Sequence, residues 1–206
     1  MTVGRFAPYA TDSPERARVA FYIAAIAVAI GLGIHAVLDG RQIFVPWYVD
    51  IPSPVVIYGV LWAAFDKILW RWSVLRALGI VLVPNLSGEY SGIIISSHDR
   101  DEEQHECTFY VNQSWTSILI RGEFDKSRSL SQIAGISVLD VDRPRLTYEY
   151  INEPKEGAAS TMHVHPGTVW FDIKTGADGI RLDGEYYTGR DRRTSGTISI
   201  QRVRKV

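Results

Sequence analysis

The chain has 206 residues, 22 Lys+Arg against 23 Asp+Glu for a formal net charge of −1, and one cysteine. Near-neutral charge without a broad basic patch argues against duplex DNA or RNA as a partner. A lone Cys107 excludes a disulfide framework and fits a cytosolic domain rather than a small secreted one.

The first predicted element is the apolar run at residues 17–38, ARVAFYIAAIAVAIGLGIHAVL, which holds one histidine, no acid and a single arginine at its edge. A bilayer core of about 30 Å needs roughly 20 apolar helical residues, so this run is predicted to span a membrane. Cleavage as a signal peptide is the alternative, but no small-x-small site follows it. Ala24, Ala25, Ala27, Ala29, Gly31 and Gly33 keep the helix slim, and Ala27 with Gly31 forms a small-xxx-small pair suited to helix association.

A second run, PVVIYGVLWAAFDKILWRW, extends from Pro54 to Trp72 and is interrupted by Asp66 and Lys67. It reads as a second span over about 55–73, or else as an interfacial amphipathic hairpin. Asp66 is a candidate for pairing between subunits or lining a water path. Trp47 and Tyr48 before the run, with Trp70 and Trp72 near its end, read as interfacial belt residues. Arg5, Arg16 and Arg18 precede or open the first span, Arg41 alone lies in the connector, and Lys67, Arg71 and Arg76 accompany or follow the second. By the positive-inside rule both termini, and with them the soluble domain, face the cytoplasm.

Composition changes near Asn85, which divides a membrane anchor at 1–85 from a domain at 86–206 with 15 basic against 18 acidic residues. That second region is long enough to bury its own core. Its β-branched and aromatic residues alternate with polar ones in short runs bounded by turn residues. Strands are predicted at Gly88–Ser97, His105–Asn112, Trp115–Phe124, Ser129–Asp140, Arg145–Asn152, Thr168–Lys174, Ile180–Tyr187 and Gly196–Arg202. Eight such strands point to a closed antiparallel β-barrel that removes exposed edges and leaves room for side chains or one small ligand; a two-sheet β-sandwich is the alternative. The acidic run Asp99–Glu103 reads as a solvated loop.

The segments LSGEYSG at Leu86–Gly92, SRSLSQIA at Ser127–Ala134, LTYEYINEP at Leu146–Pro154, HPGT at His165–Thr168 and LDGEYYTGRDRRTSGTI at Leu182–Ile198 follow two spans in that order. In this the chain resembles the bacterial CD-NTase-associated effectors of CBASS anti-phage defence that carry two transmembrane helices and a β-strand-rich domain. The resemblance implies a receptor in the bacterial inner membrane for a cyclic dinucleotide made by a partner nucleotidyltransferase. Capture of that ligand by the cytoplasmic barrel would drive self-association and membrane disruption, with no catalytic step and no cofactor.

A cyclic dinucleotide offers two phosphodiesters and two base faces, so its site needs arginine or hydroxyl donors and planar stacking partners. Candidate donors are Arg121, Ser127, Ser129, Ser131, Thr188, Arg190 and Arg192; candidate platforms are Trp115, Tyr148, Tyr150, Tyr186 and Tyr187. Period two puts Ser127, Ser129 and Ser131 on one face, and aligns Tyr148, Tyr150 and Asn152 likewise. The competing readings are barrel packing for the tyrosines, a solvated turn for Arg190, Asp191, Arg192 and Arg193, and a local ion pair with Glu123 for Arg121. Arg121 stands out because the apolar run SILIRGEF seldom carries an unpartnered charge. His105, Cys107, His163 and His165 sit on neighbouring predicted strands, but no CxxC or HExxH frame supports a metal, and no GxSxG or Walker loop is present. A membrane-tethered carrier of lipocalin type, holding an apolar metabolite in a dry barrel, is the second function class.

Overall fold

The apolar run at 17–38 becomes helix α1, Glu15–Gly40, in a computed structural model that describes residues 6–43, 53–99, 103–139, 144–158, 162–190 and 192–203. The chain divides into two compact units: Ser13–Leu82, and Val83–Val206 together with the segment up to Asp12. Trp47, Tyr48, Arg5, Asp191 and residues 100–102 of the acidic run lie outside the described residues.

In the first unit, α1 begins after Pro14, where the Ser13 hydroxyl accepts the Glu15 N–H at 3.3 Å. Its 26 residues reach about 39 Å at 1.5 Å per residue, enough to cross a bilayer core. Val19, Ile23 and Ala27, spaced by four, are buried, whereas Phe21, Leu32 and Val37 on other faces are exposed. A helix apolar on all sides is at home only in an apolar surrounding. A methyl added at Gly31 would stand 3.3 Å from the Pro54 ring, so this end of the small-xxx-small pair is occupied within the protomer. Helix α2, Ser53–Lys67, has 15 residues and spans only about 22 Å. The second run is therefore not one unbroken helix over 55–73. The helical path leaves at Ile68 (φ −129°, ψ −58°), makes a 3-10 turn over Leu69–Arg71, and resumes as the short α3, Ser73–Ala77. This break buries Trp70 completely, which corrects its expected place in an interfacial belt, while Trp72 stays exposed. Asp66 is half-buried in the last turn of α2, and the buried Glu15 carboxylate accepts the Leu82 N–H, joining the two ends of the unit.

The second unit is a closed barrel. Its strands are β1 Ala7–Thr11, β2 Gly88–Ser96, β3 Gln104–Gln113, β4 Ser117–Glu123, β5 Ser127–Ser137, β6 Arg145–Pro154, β7 His165–Gly176, β8 Gly179–Thr188 and β9 Ser195–Arg202. Strands β2 to β9 are the eight expected, paired antiparallel in chain order and closed by β9 on β2. The ninth corrects the expectation of eight strands and of a purely antiparallel sheet, and places the segment before α1 in the barrel rather than in the anchor. β4 and β5 pair only over Arg121↔Leu130, Gly122↔Ser129 and Glu123↔Arg128, then part. Into the gap goes β1, antiparallel to β4 (Ala7↔Ile118) and parallel to β5 (Tyr9↔Ala134, Thr11↔Ile136). Pro8 lacks an N–H, and the pairing to β5 begins only at Tyr9. The Asp12 carboxylate then accepts the N–H groups of Val138 (2.9 Å) and Leu139 (3.1 Å), fastening the strand's end.

One end of the barrel is packed solid. Tyr9, Leu86, Tyr90, Trp115, Ile118, Ile136 and Leu146 are fully buried there. The buried Gln113 amide accepts the Leu86 N–H at 2.7 Å and donates to the Tyr9 hydroxyl at 3.4 Å, and Tyr90 donates to the Leu86 carbonyl at 2.9 Å. On the outer face Asp183 accepts from Lys174 (2.8 Å), Arg181 (2.9 Å) and Ser199 (2.6 Å), which ties β7, β8 and β9 together.

Two expectations follow from this packing. Tyr9→Ala removes a buried ring at the seam and should lower unfolding free energy by about 3–5 kcal/mol. Denaturant titration of the purified full chain checks it, and a loss within the roughly 0.5 kcal/mol of an ordinary surface change would show that β1 does not hold the seam. Burial alone would raise the Asp183 carboxyl, but its three hydrogen bonds outweigh that and hold it at about 2. Its stabilisation is therefore complete above the ordinary carboxylate pKa of about 3.9 and is lost as pH falls through the folded value. The stability of Asp183→Asn should be flatter than wild type over that acidic window, read from melting temperature against pH.

Candidate functional site

The opposite end of the barrel is open. Because β2 to β9 run up and down in turn, the C-terminal ends of β2, β6 and β8 meet the N-terminal ends of β5, β7 and β9 at this rim. Their inward side chains enclose a half-open cavity of about 110 Å³.

Alternation decides which side chains reach it. In β5 the pattern buries Ser127, Ser129 and Ser131 and turns Arg128 out, so the three serines share the inward face as period two requires. Ser127 and Ser129 line the cavity, but Ser131 does not: its hydroxyl accepts the Ile120 N–H at 2.9 Å, bridging β4 and β5 where their ladder stops. In β6, Tyr148, Tyr150 and Asn152 all face inward and line the wall, the two rings 6.3 Å apart and tilted by 55°. From β8 come Tyr186 and Thr188, from the β8–β9 turn Arg192 and Thr194, and from β7 His165 and Val169. Phe109 and Phe124 meet edge-on at 5.7 Å and, with Ile94 and Ile198, complete the apolar part of the lining.

Four further expected ligands lie elsewhere. Arg121 alternates with the inward Ile118 and Ile120 and so projects from the outer surface of β4. Trp115 sits in the β3–β4 turn at the packed end, fully buried and away from the cavity. Arg190 is exposed on the β8–β9 turn, while Arg192, two residues on, reaches the cavity; Tyr187 points outward as its neighbours Tyr186 and Thr188 point in. The wall also includes residues that the sequence reading passed over: Ile94, Ser96, Phe109, Phe124, Met162, Val169, Thr194 and Ile198. For Ile94, Ser96, Phe109, Val169 and Ile198 inward parity was the available signal, but ordinary core positions carry the same signal, and Phe124, Met162 and Thr194 lie outside the strands. His165, weighed earlier only as a metal ligand, is part of this wall. Among the described residues no group of three His, Cys, Asp or Glu is placed to share a metal ion.

Several polar groups here are held without a protein partner. Among the described residues, no hydrogen bond or ion pair engages the side chains of Ser127, Ser129, Tyr148, Tyr150 or Arg192. Others are fixed. Tyr186 donates to Ser96 Oγ at 2.7 Å, and Thr188 Oγ1 accepts the Thr194 N–H at 2.9 Å while donating to its carbonyl, which clasps the turn that carries Arg192. His165 Nδ1 lies 2.9 Å from the His163 carbonyl, so in the neutral ring Nδ1–H donates and Nε2 is left as an acceptor. Burial lowers the His165 pKa below its usual value, partly offset by that carbonyl and reinforced by Arg192, which keeps the ring neutral near pH 7. Burial likewise raises the Tyr148 and Tyr150 hydroxyls, so both act as neutral donors. The cavity thus presents one guanidinium, free hydroxyls, an amide and two aromatic faces, a donor set matched to an anionic ligand with planar parts.

The barrel and helices match known families. Residues 81–202 match the family described as Cap15, cyclic dinucleotide receptor domain, and residues 17–71 match Cap15, TM helices. CD-NTase-associated protein 15 of Yersinia aleksiciae is 31% identical over 202 residues, covering 92% of this chain and 93% of that protein. With a receptor domain and membrane helices matched in the same order, the chain belongs to the Cap15 family of CBASS-associated proteins.

Proposed function

We propose that this protein is a membrane effector of CBASS anti-phage defence whose barrel binds a cyclic dinucleotide made by a partner nucleotidyltransferase. The observation that carries the reading is the set of unengaged polar groups, Arg192 with Ser127, Ser129, Tyr148 and Tyr150, turned into one half-open cavity inside the stretch matched to the receptor family. Arg192 and the serine hydroxyls serve the phosphodiesters, and Tyr148 and Tyr150 offer faces to a base. A cavity of about 110 Å³ is smaller than the roughly 300–1,000 Å³ that encloses a drug-sized ligand. One base therefore enters, and the phosphates stay at the rim beside Arg192. A lumen holding a guanidinium, an amide and an imidazole favours this over a carrier of apolar metabolites, which would keep its interior dry.

Binding leads to self-association and disruption of the bacterial inner membrane. The exposed apolar faces of α1 supply the membrane contact, and α2 with the turn after it makes the second pass, leaving both termini and the barrel cytoplasmic. Ala27 and Gly31 act within the protomer in this reading, and Asp66 is the polar group available to a neighbouring subunit or a water path. The protein performs no catalysis and needs no cofactor or metal.

Calorimetric titration of the full chain in detergent with a panel of cyclic dinucleotides tests the receptor. One member should bind. Arg192→Ala should weaken it by about ten- to a hundredfold, since a hydrogen bond to a charged group is worth ~1.5–3 kcal/mol, and Arg121→Ala should leave it unchanged. Equal losses from both arginines, or no binding by any member, would defeat the reading. The same ligand should release dye from vesicles carrying the protein; Asp66→Ala with undiminished release removes Asp66 from the membrane step.

A further inference from the structure

Three cavity side chains lie directly opposite a glycine on the next strand: Ser129 faces Gly122, Tyr150 faces Gly167, and Tyr186 faces Gly196. In an antiparallel pair, opposed residues point to the same side of the sheet, so each glycine leaves a gap in the inward row where the opposed side chain lies. A Cβ at Gly122 would come within 2.5 Å of the Ser129 hydroxyl, and one at Gly196 within 2.7 Å of the Tyr186 ring. At Gly167 the three nearest atoms all belong to the Tyr150 phenol: its oxygen, Cζ, and Cε1 at 2.8 Å. The Tyr150 ring is therefore folded across the Gly167 backbone, in the gap between His165 and Val169.

We propose that Gly167 is a positioning residue of the ligand site, holding Tyr150 flat on the barrel wall so that the lumen stays open; this rests on the receptor reading above. The position is distinctive because the three atoms nearest an added methyl all belong to one side chain. At Gly196 an added methyl would also drive into the Ile95 carbonyl, and at Gly92 and Gly184 it would meet the backbone of the neighbouring strand, so those glycines serve strand closeness as well. At Gly167 the Tyr150 ring is what has to move first. Tyr150 is buried, its hydroxyl has no hydrogen bond among the described residues, and the wall is behind it. The one direction left is the cavity, toward Tyr148, whose ring centroid is 6.3 Å away. In a space of about 110 Å³ a phenol ring swung inward displaces the base that the cavity would receive.

The test uses the full chain in detergent, labelled with 3-fluorotyrosine, the Tyr150 signal being identified by its loss in Tyr150→Phe. Gly167→Ala should move that signal and weaken the best-bound cyclic dinucleotide of the panel by roughly tenfold or more. In a Tyr150→Ala background the same change should add nothing, because the ring it displaces is gone. An unmoved fluorine signal, unchanged affinity, or a further loss in the double variant overturns the proposal. If Gly167→Ala alone fails to fold, recovery of folding in Gly167→Ala/Tyr150→Ala supports it and continued failure overturns it. Wild-type protein that binds no member of the panel sinks the receptor reading, while the fluorine signal still decides whether Gly167 places Tyr150.

Discussion

Closure between β4 and β5 is the constraint on which the barrel depends. An eight-stranded cylinder has no free edge only if every pair of neighbours is joined along its height, and β4 parts from β5 beyond Leu130. Two devices repair the seam. The Ser131 hydroxyl takes the Ile120 N–H where the ladder ends, and β1, the first strand in the chain, fills the space below. The buried Tyr9–Gln113–Leu86 network forms on the same side of the barrel, so the seam strand also supplies a wall of the solid core.

That solid end is what leaves the other end free to bind. With Trp115, Tyr90 and Leu146 filling one half, the barrel keeps its shape without needing the lumen at the far rim to be packed. The rim can then hold side chains that a core would reject, above all Arg192 and the unengaged serines. Small residues decide how much room remains: glycine opposite Tyr150, Tyr186 and Ser129 lets these groups lie along the wall. Polarity and vacancy thus come from separate features of the sequence, one from inward hydroxyls and the arginine, the other from inward glycines.

The eight main strands were legible because one face of each is buried, and burial forces a period of two that no helix shares. The same parity put Ser127, Ser129 and Ser131 on one face and aligned Tyr148, Tyr150 and Asn152, and the structure turns both faces inward. It also ruled on Arg121, since inward Ile118 and Ile120 turn residue 121 outward, and the charge in that apolar run is simply its solvent face. Trp115 was misplaced for a different reason. In an up-and-down barrel the β3–β4 turn and the β4–β5 turn lie at opposite ends, so Trp115 and Ser127 cannot share a site. β1 was not legible at all: five residues with a proline have no pattern of their own, and their strand conformation is dictated by a gap between β4 and β5 more than a hundred residues away. The end of α2 at Lys67 is comparable, marked by Asp66 and Lys67 but set by how Trp70 is buried.

One strand ties these features together. β5 carries Ser127 and Ser129 at the cavity, Ser131 at the seam, and Ala134 to Ile136 against β1. β1 ends at Thr11, Asp12 is held by the backbone just beyond β5, and after Ser13 and Pro14 the chain is already in α1. The strand that carries the cavity serines is therefore also the one against which β1 pairs. The parallel β1–β5 pairing is short, and short pairings at a seam are the parts of a barrel with least to lose on opening. β1 is thus held by few ladder pairs, and the two backbone hydrogen bonds to Asp12 are what fasten its end where those pairs run out.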